Sequence, residues 1–140
     1  MILFKYCFRV QYPDTDKMGT MDHATYAKYY ETARWELLRS IGIPYSSIEK
    51  AGFMCPVIRM NFRFIKITRY DELLTVQTTL TKIKGVRMWF EYKLFNEKNE
   101  LINEAETELA FVGLHDWTPC KIPEFIIKNL QKHRSCSTSA

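Results

Sequence analysis

The chain reads as an α+β protein in which an antiparallel sheet of five strands wraps around one long central helix. Three observations predict this. A period-two run of apolar side chains opens the chain, a stripe of period 3.6 covers residues 23–41, and four more period-two runs follow, separated by turns and loops. A helix of that length is a rod of about 28 Å. Its apolar stripe needs a broad partner surface, and a strongly curved sheet is the surface five strands can supply.

The first strand spans Phe4 to Tyr12. Phe4, Tyr6, Phe8, Val10 and Tyr12 share one face, and Lys5, Cys7, Arg9 and Gln11 the other. A loop from Pro13 to Asp22 leads into the long helix. There Tyr26, Tyr30, Ala33, Leu37 and Ile41 form the stripe, flanked by Ala27, Arg34 and Leu38, while Lys28, Thr32, Trp35 and Arg39 face away. Asp22 is the expected N-cap, and Gly42 followed by Pro44 stops the helix. Glu31 and Arg34, one turn apart, read as a surface ion pair. A short second helix around Ser47 to Ala51 is expected to start at Ser46, with Glu49 three residues on, and to end at Gly52.

The period then returns to two. Ile58, Met60, Phe62 and Phe64 alternate with Arg59, Asn61 and Arg63; Leu74, Val76, Thr78 and Leu80 alternate with Thr75, Gln77, Thr79 and Thr81. Val86, Met88, Phe90, Tyr92 and Leu94 come next, then Ala105, Thr107, Leu109 and Phe111 between Glu104, Glu106 and Glu108. Lys84-Gly85 and Asn96 to Asn99 are turn signals, so these four strands are expected to run as an antiparallel meander. Pro119 and Pro123 break the chain before a short terminal helix from Glu124 to Lys132. No internal repeat or linker is visible. Residues 1–134 are read as a single domain and 135–140 as a small polar tail, expected to be disordered.

Bulk composition narrows the function classes. An aromatic content of 14% favours a strand-rich core or an apolar binding surface. A net charge of +4 is read as a solvated surface rather than a nucleic-acid footprint, and no nucleic-acid-binding motif occurs. A mildly basic surface also suits an anionic small molecule carrying phosphates. The cysteines at 7, 55, 120 and 136 form no C-x-x-C pair and have no metal-like histidine spacing, so reduced thiols in a cytoplasm are expected and no metal site is. The first residues hold no apolar run of signal-peptide length, and no segment approaches 18 apolar residues.

The most informative stretch is Tyr12 to Arg34, YPDTDKMGTMDHATYAKYYETAR. A carboxylate, then a glycine, then a helix start can place a bare carboxylate beside backbone N–H groups free to bind an oxygen. That arrangement attacks a carbonyl without serine, cysteine or metal. On the residues alone a second reading stands beside it: Asp14 or Asp16 bonded to the N–H groups of its own turn. No G-x-S-x-G occurs, and no cysteine has a histidine at a recognisable spacing, so a serine or cysteine triad has no support.

The same stretch resembles the 4-hydroxybenzoyl-CoA thioesterase family of hotdog enzymes, with its branch of bacterial acyl-CoA thioester hydrolases. The residues that carry the likeness are Tyr12, Asp14, Asp16, Gly19, His23, Tyr26, Glu31 and Arg34, followed by Pro56 and the segment Tyr70 to Leu74. Where many relatives have two apolar residues and an aromatic after the glycine, this chain has Thr20-Met21-Asp22. The resemblance implies the hotdog fold and hydrolysis of an acyl-CoA to free acid and coenzyme A. It implies Asp16 as catalytic nucleophile or general base, and a helix start near His23 that polarises the thioester carbonyl, with His23 orienting substrate or water. Gly19 and Tyr26 are implied substrate contacts, and Lys84 and Arg87 candidates for the coenzyme A phosphates. No cofactor is implied beyond coenzyme A as part of the substrate. A homodimer or homotetramer with shared sites is implied, and no nucleic-acid or membrane partner. Two alternatives stand beside this reading: a thioesterase acting on acyl carrier protein, and a non-catalytic acyl-CoA- or lipid-binding hotdog protein.

Overall fold

The computed structural model of the chain describes residues 2–137, with side chains through residue 133. In chain order the elements are β1 (Ile2–Arg9), a 3₁₀ turn (Tyr12–Asp14), α1 (His23–Ser40), α2 (Tyr45–Lys50), β2 (Phe53–Met54), β3 (Val57–Phe64), β4 (Leu73–Lys84), β5 (Arg87–Phe95), β6 (Leu101–Ala110), β7 (Val112–Gly113) and α3 (Glu124–Ser137). Five strands form one antiparallel sheet in the order β1-β4-β5-β6-β3, and α1 lies along its inner face. This is the hotdog arrangement.

The meander covers three strands, not four. β4, β5 and β6 follow one another by hairpins, whereas β3 pairs with β6 at the far edge and β1 pairs with β4 at the other. The chain therefore crosses from one side of the sheet to the other between β3 and β4. On the way, residues 65–72 run past the start of α1: Thr20 bridges Arg69, and the N–H of Met21 donates to the carbonyl of Thr68 at 2.8 Å. This crossing brings the Asp16 loop, the helix start and the end of β3 together.

The sheet curls because register shifts interrupt three of its ladders. They fall between Val57 and Arg59, between Leu80 and Lys82, and between Leu94 and Phe95. An unpaired extra residue bends its strand and increases its twist. The concave face buries Leu74, Val76, Thr78 and Leu80 from β4, Met88, Phe90, Tyr92 and Leu94 from β5, and Asn103, Ala105, Thr107 and Leu109 from β6. Against them α1 sets Tyr26, Tyr29, Tyr30, Ala33, Arg34, Leu37 and Leu38.

Several local expectations change. β1 stops at Arg9, because Pro13 at the head of the 3₁₀ turn fixes a helical φ. Tyr12 thereby leaves the strand face, stands 76% exposed and meets Tyr70 edge-on with ring centroids 5.9 Å apart. α2 begins after Pro44 rather than Ser46, with no side-chain cap. A two-stranded ribbon of β2 and β7, too short to show a period, closes over the α2 side. Arg34 is not half of a surface ion pair. Its side chain is 2% exposed and donates to the Tyr92 hydroxyl at 3.0 Å, while Glu31 stays at the surface and accepts from Trp35 at 3.4 Å. α3 runs through Ser137, into the segment expected as a tail; residues 138–140 lie outside the described residues.

Candidate active site

The two carboxylates of the D-x-D stretch occupy different media. Asp14 is 3% exposed. Its Oδ2 accepts from the Tyr29 hydroxyl at 2.5 Å and the Gln11 N–H at 2.9 Å, and its Oδ1 accepts from Lys28 Nζ at 3.1 Å. Burial pushes the Asp14 carboxyl up, but the bonds from Tyr29, Gln11 and Lys28 outweigh it and hold the group below the ordinary aspartate value. Asp16 is exposed. Its Oδ1 accepts the Met18 N–H at 2.8 Å, and the Thr20 hydroxyl stands 3.3 Å from both carboxylate oxygens. Both residues are thus bonded in the turn. Asp14 is consumed there, while Asp16 keeps its carboxylate at the surface.

The loop itself is a small excursion closed at its base. Thr15 bridges Met21, the Asp16 N–H donates to the Thr20 carbonyl at 2.9 Å, and the Gly19 N–H returns to the Asp16 carbonyl at 3.0 Å. Gly19 has φ +79°, and a Cβ there would meet nothing. Backbone conformation, not crowding, calls for the glycine.

The loop ends on the first turn of α1. Asp22 holds the N-cap position with extended backbone, yet its side chain makes no cap bond. Among the described residues the backbone N–H groups of His23 and Ala24 have no hydrogen-bond partner, whereas that of Thr25 donates to Asp22. Free N–H groups at the positive end of an 18-residue helix form a site for an oxygen that carries negative charge.

Beside this helix end is a hollow of about 140 Å³, lined by Thr20, Met21, His23, Tyr26, Phe64 and residues 65–68. His23 lies tilted over Phe64 with ring centroids 4.7 Å apart, and Tyr26 meets the same ring edge-on at 5.3 Å. The Tyr26 hydroxyl pairs with Thr68 Oγ1 at 2.8 Å, which spends its polar end inside the fold. Thr20 joins the two parts: it lines the hollow and touches Asp16. Larger hollows lie elsewhere, including one of about 310 Å³ on the outer sheet face around Glu91, Lys93 and Glu106. Another shares Lys66 and Ile67 with the helix-start hollow, and a third lies against Tyr12 and Tyr29, but neither is lined by residues of the first turn of α1.

Asp16, Gly19, His23 and Tyr26 therefore stand in one neighbourhood. Lys84 and Arg87 do not join them within one chain. They flank Gly85 at the β4–β5 hairpin, whereas the loop meets the opposite end of β4 through Arg69. Arg87 is also paired with Glu108 at 2.7 Å. Sequence reasoning passed over Tyr29, which lies off the apolar stripe, and gave no sign that residues 65–68 complete the hollow. Tyr29 stacks on Phe8 with centroids 3.6 Å apart, a contact between α1 and β1 that no local pattern contains.

Thiol chemistry gains no support. Cys55 is 2% exposed, and burial pushes its thiol up to about 12 despite the opposing pull of Arg34. Among the described residues no cluster of histidine, cysteine and carboxylate could hold a metal ion, and no helix is long and apolar enough to cross a membrane.

Residues 10–130 match the family described as the thioesterase-like superfamily. The acyl-CoA thioester hydrolase YbgC of Escherichia coli O6:H1 is 32% identical over 132 residues, 93% of this chain and 97% of that protein. The acyl-CoA thioesterase YbgC of Haemophilus influenzae is 28% identical over 122 residues, 86% of this chain and 89% of that one. Among solved structures, a DHNA-CoA thioesterase from Staphylococcus aureus superposes with a TM-score of 0.89 at 29% identity, covering 99% of this chain and 95% of that one.

Proposed function

The chain belongs to the thioesterase-like superfamily, and on that premise we propose that it is an acyl-CoA thioesterase whose reacting carboxylate is Asp16. One observation carries the reading. An exposed carboxylate, the unbonded N–H groups of His23 and Ala24, and a hollow lined by aromatic rings adjoin one another through Thr20.

In this mechanism the thioester carbonyl oxygen lies against the helix start, where the free N–H groups stabilise the charge that develops on it. Asp16 then acts in one of two ways. Its carboxylate attacks the carbonyl carbon, the C–S bond breaks, coenzyme A leaves as a thiolate that is then protonated, and water hydrolyses the mixed anhydride. Alternatively it takes a proton from water that attacks the same carbon; the tetrahedral intermediate then breaks its C–S bond, and the coenzyme A thiolate leaves with that proton returned to its sulfur. His23 orients substrate or water, Tyr26 and Phe64 wall the acyl side, and Gly19, at positive φ, sets the turn that presents Asp16 to the thioester. Coenzyme A enters as part of the substrate, and neither route uses a metal or a redox cofactor. The setting we assign is cytoplasmic.

The working unit we assign is a homodimer, alone or within a tetramer. β3 is an edge strand, and exposed apolar residues continue from it into the next segment: Val57, Ile58, Phe64, Ile65 and Ile67. Two-fold pairing of one β3 with another runs the strands antiparallel. The end of one copy that carries Phe64 then meets the end of the other that carries Val57. Since Leu109 pairs with both Val57 and Met88, that second end also holds the β4–β5 hairpin. Lys84 and Arg87 of one copy thereby approach the loop of the other and can meet the phosphates of coenzyme A.

A hydrolysis screen tests the reading. The purified protein should release free coenzyme A from one or more members of a set of aliphatic acyl-CoAs of graded length and aromatic acyl-CoAs. Faster cleavage of the same acyl groups on acyl carrier protein would move the substrate assignment to that carrier. Binding without turnover across the set would contradict the enzymatic reading.

A further inference from the structure

We propose that Asp14 and Tyr29 are positioning residues for Asp16, a role that rests on the catalytic reading of Asp16 above. Asp14 is bonded to both ends of the loop. Its side chain takes the Gln11 N–H at the entrance, and Lys28 and Tyr29 from the helix that follows. Its carbonyl takes the N–H of Asp22 at 2.9 Å, and Thr25 Oγ1 lies 3.5 Å from the same oxygen. The strands of the excursion that carries Asp16 grow from Asp14 on one side and Asp22 on the other. That backbone bond is the outermost of those that close the excursion, beyond the Thr15–Met21 bridge, and the side-chain bonds hold it in place.

Tyr29 supplies the anchor. Its ring is 8% exposed and lies parallel to Phe8 within 9°, with centroids 3.6 Å apart. Its hydroxyl therefore has a fixed position relative to the sheet and a short bond to a buried carboxylate. Burial, the bond to Asp14 and the Asp14 charge all push the phenol well above its ordinary value, which favours its role as a donor to that carboxylate. The chain of contacts runs from β1 through Tyr29 to Asp14, then to the loop and the helix start. It sets where Asp16 stands relative to the N–H groups of His23 and Ala24. A displacement of about 1 Å between reacting groups costs about a hundredfold in rate, so loosening this post should be visible in turnover.

Tyr29→Phe removes one hydroxyl and keeps the ring stack on Phe8, so the variant retains the fold. Assayed well below its unfolding temperature, it should show kcat lowered by about tenfold or more with KM changed by less than about twofold. The same change is then made in an Asp16→Asn background. If Tyr29 acts through Asp16, the residual rate there should not fall further. Unchanged kcat in Tyr29→Phe overturns the proposal, and so does an equal loss in both backgrounds, which marks a role independent of Asp16. Full activity in Asp16→Asn alone is a different result: it removes the catalytic reading on which the proposal depends.

Discussion

At the scale of single residues, two aspartates two positions apart are assigned different work by what surrounds them. Asp14 is held ionised in the interior by three donors, and Asp16 keeps an accessible carboxylate. The pH dependence of stability should report the first. Because the folded-state carboxyl of Asp14 lies below the ordinary value of 3.8, its contribution is fully present above that value. The contribution is lost as pH falls through the folded-state value. Thermal unfolding followed from neutral to strongly acidic pH should show a steeper acid limb for the native chain than for Asp14→Asn. Parallel acid limbs would contradict the assignment. The D-x-D spacing, the glycine and the helix start were legible in the sequence, because each is a local signal. Which aspartate is buried was not, since it depends on Tyr29 reaching back from the second turn of α1. The helical stripe did not include Tyr29, because its ring packs on β1 rather than on the sheet centre.

At the scale of elements, the strong periodicities were read correctly in kind and less well in bounds. α1 starts at His23, and Gly42, at φ +83°, follows its end as expected. Strand order was not readable in full. Hairpin signals join β4, β5 and β6, but nothing local says that the residues after β3 cross the sheet instead of turning back along it. The register shifts were hidden for the same reason: a bulge is defined by its partner strand. Their effect is specific. Past the shift after Leu80, Ile83 turns toward the core beside Met88, while Lys82 stays outside with its Nζ 4.8 Å from the centre of the Trp89 ring. Arg34 shows how a tertiary environment overrides a helix-surface pattern. The curved sheet covers more of α1 than the apolar stripe alone marks, so a residue at the stripe's margin is buried. Its guanidinium bonds to Tyr92, which in turn lies 2.8 Å from Thr107 Oγ1, and it packs over Trp35.

At the scale of the whole molecule, the sheet ends in two open edges, and a long unpaired edge is a site for pairing with another chain. The apolar side chains beside β3 favour that edge for self-pairing. Light scattering should therefore give twice the mass of the 16.7 kDa chain, or a multiple of it. Ile58→Lys, a charge placed at the shared edge, should shift the protein toward monomer and lower activity with it. A stable, fully active monomer at micromolar concentration would contradict the shared site. The central claim is that the Asp16 carboxylate performs the hydrolysis. Asp16→Asn tests it most directly, because it keeps the size of the side chain and leaves the fold to Asp14. With the best acyl-CoA substrate at saturation, kcat should fall by about a hundredfold or more while the unfolding temperature stays near that of the native chain. Turnover unchanged in a variant of native stability would contradict the account.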